Sequence, residues 1–222
     1  QLVKVITLNN LIRQANKLLK NCDFEYAFCG GWAIDLFIGA KTRKHNDIDI
    51  LAYWPERDTI IQYMQSLGFQ VYEMLGSGKA HHITDIHNQM KIKRNIFCCT
   101  QDCELVCLSA TDEAGIYFIT FKHIEQIKLN FIEFLFNDKN YTDLLYARNH
   151  AIKLALSDAI LYNDSLPYLA PEMCLLYKST DTEREGYQSD YENAVADMNQ
   201  RQRRWLDDAL TIMYPEGHKW RL

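Results

Sequence analysis

A glycine pair sits where a strand passes into a helix, and two aspartates follow on the next strand. Phe24, Tyr26 and Phe28 alternate with Glu25, Ala27 and Cys29, and Gly30-Gly31 follows at once. The alternation predicts a strand that the glycines end. Trp32-Ala33-Ile34-Asp35-Leu36 then continues as a helix to about Ile38, with Gly39 as its C-terminal cap. After Arg43-Lys44-His45 comes Asp47-Ile48-Asp49-Ile50, read as the start of a strand over 47–53. Alternate residues of a strand share a face, so Asp47 and Asp49 point one way and the two isoleucines the other. Like charges so close repel unless a cation lies between them. Two readings follow: solvated acids on an edge strand, or a divalent-metal site beside a phosphate-binding helix start.

The surrounding pattern gives strand–helix–strand order. Leu8, Leu11, Ile12, Ala15, Leu18 and Leu19 recur at helical spacing, which predicts a helix over 8–20. Pro55 suits a first helical turn, and Ile60, Ile61, Met64 and Leu67 predict a helix stopped by Gly68. Short β-rich segments over 69–75, 90–97, 104–108, 115–121 and 128–136 read as antiparallel strands extending the first sheet. Beyond Asn137-Asp138 the pattern reads as mostly helical. One helix opens at Pro171, a polar loop covers 180–189, and one or two helices cover 190–213. The expected organisation is an α/β domain over 1–138 followed by a helical C-terminal domain over 139–222.

Composition narrows the function classes. A net charge of -5 argues against a general nucleic-acid-binding surface. No apolar run is long enough to cross a bilayer and no signal peptide is legible, so a cytoplasmic location is expected. The seven cysteines are an odd number, so at least one thiol is outside any intramolecular disulfide. Cys98, Cys99, Cys103 and Cys107 cluster without two clean Cys-x-x-Cys knuckles. Thiols lining a strand account for them better than zinc does. His81, His82 and His87 fall in a segment that reads as loop.

Glycines at a strand–helix junction let a ligand approach the backbone, and the helix start presents N–H groups that suit phosphate. Mg²⁺ takes carboxylate oxygens, water and substrate phosphates. Two aspartates on one face can hold such ions, and a third acid normally completes the set. Glu133, in Leu129-Asn130-Phe131-Ile132-Glu133-Phe134-Leu135-Phe136, is the best candidate. An acid inside an apolar strand is costly to bury alone, although alternation also allows it to face solvent. Asp138 is the second choice. Lys178 follows an apolar helical run and could reach a phosphate, or be an ordinary solvated lysine.

These residues resemble a known family. Gly-Gly-Trp-Ala-Ile-Asp-Leu, Gly39, and Thr42-Arg43-Lys44-His45-Asn46-Asp47-Ile48-Asp49-Ile50 are similar to the nucleotidyltransferase superfamily related to DNA polymerase β. The likeness is to its antibiotic-modifying branch, the aminoglycoside 2''-O-nucleotidyltransferases and lincosamide nucleotidyltransferases. Pro167-Tyr168-Leu169-Ala170-Pro171-Glu172-Met173-Cys174-Leu175-Leu176-Tyr177-Lys178 and the tail Pro215-Glu216-Gly217-His218-Lys219-Trp220 look like segments of relatives of the aminoglycoside enzymes. Those relatives carry a Lys-Asp pair and then an Asp-Phe pair after the lysine. Here Gly186-Tyr187 replaces the first and Asp190-Tyr191 approximates the second.

The resemblance implies an α+β nucleotidyltransferase fold, a mixed sheet flanked by helices with a C-terminal helical region. It implies an enzyme that transfers a nucleoside monophosphate, AMP from ATP, to a hydroxyl of a small molecule such as an aminoglycoside or lincosamide, releasing pyrophosphate. Asp47 and Asp49 would bind Mg²⁺, and Glu133 would be the third metal-binding carboxylate and general base. Gly30, Gly31, Arg43, His45 and Lys178 would serve the nucleotide. Alternatives are a protein or nucleic-acid acceptor, as in antitoxin-type members, or a nucleotide-binding module without turnover.

Overall fold

The computed structural model describes residues 10–221. Leu8 of the first predicted helix lies outside them. Two units emerge, each drawn from separate stretches of chain. One contains 27–44 and 137–221, the other 10–26 and 45–136.

In the second of these, the helix Asn10–Leu19 buries Leu11, Ile12, Ala15 and Leu19, as its spacing requires. Its sheet runs in the order Asp49–Tyr53, Phe131–Lys139, Ile96–Cys99, Gln70–Gly76, Lys79–Ile83, Ile116–Phe121, Val106–Ala110. From Ile50 to Tyr53 every residue is buried, the mark of a strand covered on both faces. Stacked rings fill the core: Tyr72 lies on Phe97 at 5.0 Å and Phe97 on Phe131 at 5.7 Å. The single turn Trp54–Glu56, with Pro55 inside it, leads into the helix Arg57–Ser66, and Gly68 follows with φ +84°.

The other unit holds the helix Gly30–Ile38, which ends on Gly39 at φ +79°, with the Gly39 amide bonded to the Asp35 carbonyl at 2.9 Å. Phe28 pairs in parallel with Tyr168, and Ile160–Asn163 pairs antiparallel with Leu166–Leu169, so the sheet is mixed. Helices Pro171–Lys178, Tyr187–Asp197 and Gln200–Met213 follow. Asn199 and Gln202 cap the last of them reciprocally, each side chain bonding the other's backbone amide. The tail folds back on the middle helix. Trp220 is buried, its ring lies 4.6 Å from Tyr191, and its indole N–H donates to Gln188 Oε1 at 2.8 Å.

Three expectations are corrected. The strand begins at Asp49, and Asp47 occupies a bend before it. His81 and His82 belong to the strand Lys79–Ile83; its polar sequence hid the hairpin made through Ser77 and Gly78, both at positive φ. Residues 139–169 are mostly extended rather than helical, forming Asp143–Leu145, Lys153–Ala155, Ile160–Asn163 and Leu166–Leu169, with one helical turn at Leu156–Ala159. Those strands are three or four residues long, too short for alternation to register.

Candidate active site

The predicted residues fall into an acidic group and a basic group, one in each unit. In the acidic group Asp47 and Asp49 are half-buried while Ile48 and Ile50 are fully buried, so the alternation predicted from sequence is present. The Glu133 amide donates to the Ile48 carbonyl at 2.9 Å, which sets Glu133 beside the residue between the two aspartates. On its other side Glu133 is in register with Phe97. Its carboxylate is half-buried and accepts a hydrogen bond from Asn95 Nδ2. Glu133 is thus held between neighbouring strands rather than turned freely to water. His45, next to this group in sequence, is buried.

Among the described residues no three His, Cys, Asp or Glu side chains are assembled as a metal cage. The donor chemistry at Asp47 and Asp49 nonetheless fits Mg²⁺, a hard cation taken up by one or two carboxylates with substrate phosphates completing the shell. Cys98 and Cys99 are buried in the strand Ile96–Cys99, and all seven cysteines are free. Burial pushes the Cys98 thiol well above its ordinary range and the Cys99 thiol up to about 12, so both are inert packing groups.

In the basic group Gly30 opens its helix with φ +64°, a conformation that favours glycine. Gly31 follows it and is buried, and Cys29 at the N-cap supplies no side-chain cap. Asp35 ties the glycine-led helix to the basic turn. Its Oδ1 accepts from the Thr42 amide at 3.0 Å and the Thr42 hydroxyl at 2.6 Å, and so fixes the chain just before Arg43.

Arg43 forms a two-pronged bond to Asp190, Nε to Oδ1 at 2.8 Å and Nη2 to Oδ2 at 2.9 Å. Lys178 Nζ lies 2.9 Å from the same Oδ2 and 4.1 Å from the centre of the Tyr187 ring. Lys178 is only 5% exposed, which removes the reading of a solvated helix lysine. Asp190 is fully buried. Burial alone would raise its carboxyl, but the Arg43 hydrogen bonds and the Lys178 charge outweigh it and hold the pKa below the ordinary 3.8.

Asp190 and Asp35 were not singled out from sequence. Each sits within a helix where no pattern announces a buried acid. The one available signal was that Asp190-Tyr191 approximates a pair expected after the lysine.

The chain is similar to several known proteins. Residues 11–117 match the family model of aminoglycoside-2''-adenylyltransferase. A stretch of 56 residues, 25% of the chain, is 41% identical to the 2''-aminoglycoside nucleotidyltransferase of Escherichia coli, and equally to that of Klebsiella pneumoniae. The chain spans about a third of the length of these curated relatives, 32%. Among solved structures, ANT(2'')-Ia in complex with adenylyl-2''-tobramycin superposes with a TM-score of 0.54 at 14% identity, over 91% of this chain and 97% of that one. The lincosamide adenylyltransferase LnuA, lincomycin-bound, gives 0.51 at 14% identity, over 84% and 96%. At such identities the superpositions speak for the fold. The chain thus shares its fold with these two adenylyltransferases over most of its length, and the segment that resembles the aminoglycoside-2''-adenylyltransferase family holds Gly30, Gly31, Asp47 and Asp49.

Proposed function

We propose that the chain transfers a nucleoside monophosphate, AMP from ATP, to a hydroxyl of a small polyhydroxylated antibiotic of the aminoglycoside or lincosamide kind. The observation that carries this reading is the acidic group: two half-buried aspartates at alternate positions, with the Glu133 backbone bonded to the residue between them. The acceptor oxygen would attack the α-phosphorus, the bond to the bridging oxygen would break, and pyrophosphate would leave with the electron pair. Glu133 would take the hydroxyl proton. Asp47, Asp49 and Glu133 would hold Mg²⁺, which when bound favours the alkoxide and offsets charge on the leaving group. Gly30, Gly31, Arg43, His45 and Lys178 would serve the triphosphate, the glycines by close backbone approach and the cations by charge. The catalytic domain would comprise residues 1–138, followed by a C-terminal domain at 139–222 whose longer helices begin at Pro171.

A cytoplasmic setting, where ATP is present, suits the seven free thiols. Among the described residues no helix is long and apolar enough to cross a membrane.

The test is pyrophosphate release from ATP and Mg²⁺ with a panel of aminoglycosides and lincosamides, the products weighed by mass spectrometry. A nucleotidylated antibiotic is the expected result. AMP found instead on a protein or nucleic acid from a cell extract would move the acceptor to that class. ATP binding without turnover of any acceptor would leave a binding module.

A further inference from the structure

Lys178 and Arg43 are 135 positions apart in sequence and meet on one carboxylate, Asp190. Two cations thus share one anion. The carboxylate is wholly buried and the lysine nearly so, while the Arg43 side chain keeps 27% of its exposure. The rest of the surroundings is shaped to this contact. Gly186, with φ +83°, begins the helix that carries Asp190, and the Asp190 amide bonds its carbonyl at 2.9 Å. A Cβ built on Gly186 would stand 2.9 Å from Arg43 Nε and 3.1 Å from its Cδ and Cζ. Arg43 therefore lies flat against a backbone that has no side chain there. The next residue, Tyr187, receives Lys178 on its ring at 4.1 Å and Arg184 at 5.2 Å. Gly186 leaves the room, and Tyr187 the ring face, that seat these cations.

We infer that Asp190 is a positioning residue for the nucleotide's phosphates. It touches no substrate itself, and it holds Arg43 and Lys178 as one rigid cationic pair, with Gly186 providing the space. This inference rests on the nucleotidyltransferase reading. A buried ammonium without its counter-charge is costly and leaves its place or its charged state. Removing Asp190 should therefore act on phosphate binding through the two cations.

The experiment is calorimetry of Mg²⁺ and the α,β-methylene analogue of ATP, which binds without turnover. The proteins are wild type, Asp190→Asn, Arg43→Gln, the double variant and Gly186→Ala, each with its thermal melt. Each single substitution at Asp190 or Arg43 should weaken binding about fivefold or more, and the double should be little worse than the weaker single. Asp190→Glu should recover part of the loss. Gly186→Ala, which keeps the carboxylate but displaces Arg43, should also weaken binding and decides the matter if Asp190→Asn does not fold. A folded Asp190→Asn or Gly186→Ala variant that binds within twofold of wild type would overturn the inference. So would a double variant whose loss is the product of the two singles. A wild-type chain that binds no analogue would overturn the nucleotide reading itself.

Discussion

Asp35 Oδ1 accepts both the backbone amide and the hydroxyl of Thr42, at 3.0 and 2.6 Å. This pair joins the helix Gly30–Ile38 to the turn that presents Arg43, and the Asp35 carbonyl accepts the Gly39 and Ala40 amides as well. Asp35 is 5% exposed, so its lost partners would not be replaced freely by water. Asp35→Ala should cost about 2 kcal/mol, the range for hydrogen bonds to a buried charged group. Chemical denaturation checks this, and hydrogen exchange should show faster opening over 39–44.

Glu73 predicts a larger effect. It is fully buried, pairs with Arg57 at 2.7 Å, contacts His81 Nδ1 at 2.9 Å, and accepts the Met90 and Lys91 amides at 2.6 and 3.1 Å. The carboxylate thereby pins the exposed segment that leads to Asn95, the residue bonded to Glu133. Glu73→Ala would leave the Arg57 guanidinium buried without its counter-charge. A loss of about 3–5 kcal/mol is expected, read as a lower denaturation midpoint.

Two buried acids give pH dependences of opposite sign. Burial at the start of the helix Pro171–Lys178 pushes the Glu172 carboxyl up to about 7 from 4.5, against the Gln202 hydrogen bond and the Arg201 charge. A raised acid binds its proton more tightly when folded. Its contribution is therefore complete below pH 4.5 and is lost as pH rises through 7. Glu172→Gln should remove this slope and stabilise the chain at pH 8 by on the order of 2 kcal/mol. Asp190 is lowered, so its contribution holds above 3.8 and falls away in more acidic solution. Thermal melts from pH 3 to 9 on both variants separate the two.

The helix end at Gly39 offers a smaller test. Its φ of +79° is left-handed, and any side chain there is strained. Gly39→Ala should cost about 1 kcal/mol and shift the melt without altering the Asp35–Thr42 bonds.

Where the chain advertises its structure, the signal is periodic or chemical. The amphipathic first helix, the glycine-capped second and the Asp-Ile-Asp alternation are all legible because each carries an unambiguous spacing. The hairpins over 139–169 are not, because Leu144 and Leu154 each stand as the one buried residue of a three-residue strand. The acidic group could be read from 47, 49 and 133 since an acid within an apolar strand stands out. Asp190 could not: it is an ordinary helical aspartate until Arg43 and Lys178 arrive from distant positions. Burial of a charge depends on partners far away in sequence, and local pattern does not record them.

The acidic group carries the proposed activity, and Asp49 is its most direct probe. Pyrophosphate release should be measured with ATP, Mg²⁺ and an accepted antibiotic, for wild type and for Asp49→Asn at matched folded concentration. Asparagine keeps the shape and removes the charge that would hold the cation. The expected result is Mg²⁺-dependent release by wild type, abolished by EDTA and reduced at least about a hundredfold in the variant. Equal rates in the two proteins, or release by wild type that survives EDTA, would contradict the assignment of Asp47 and Asp49 as the metal-binding pair.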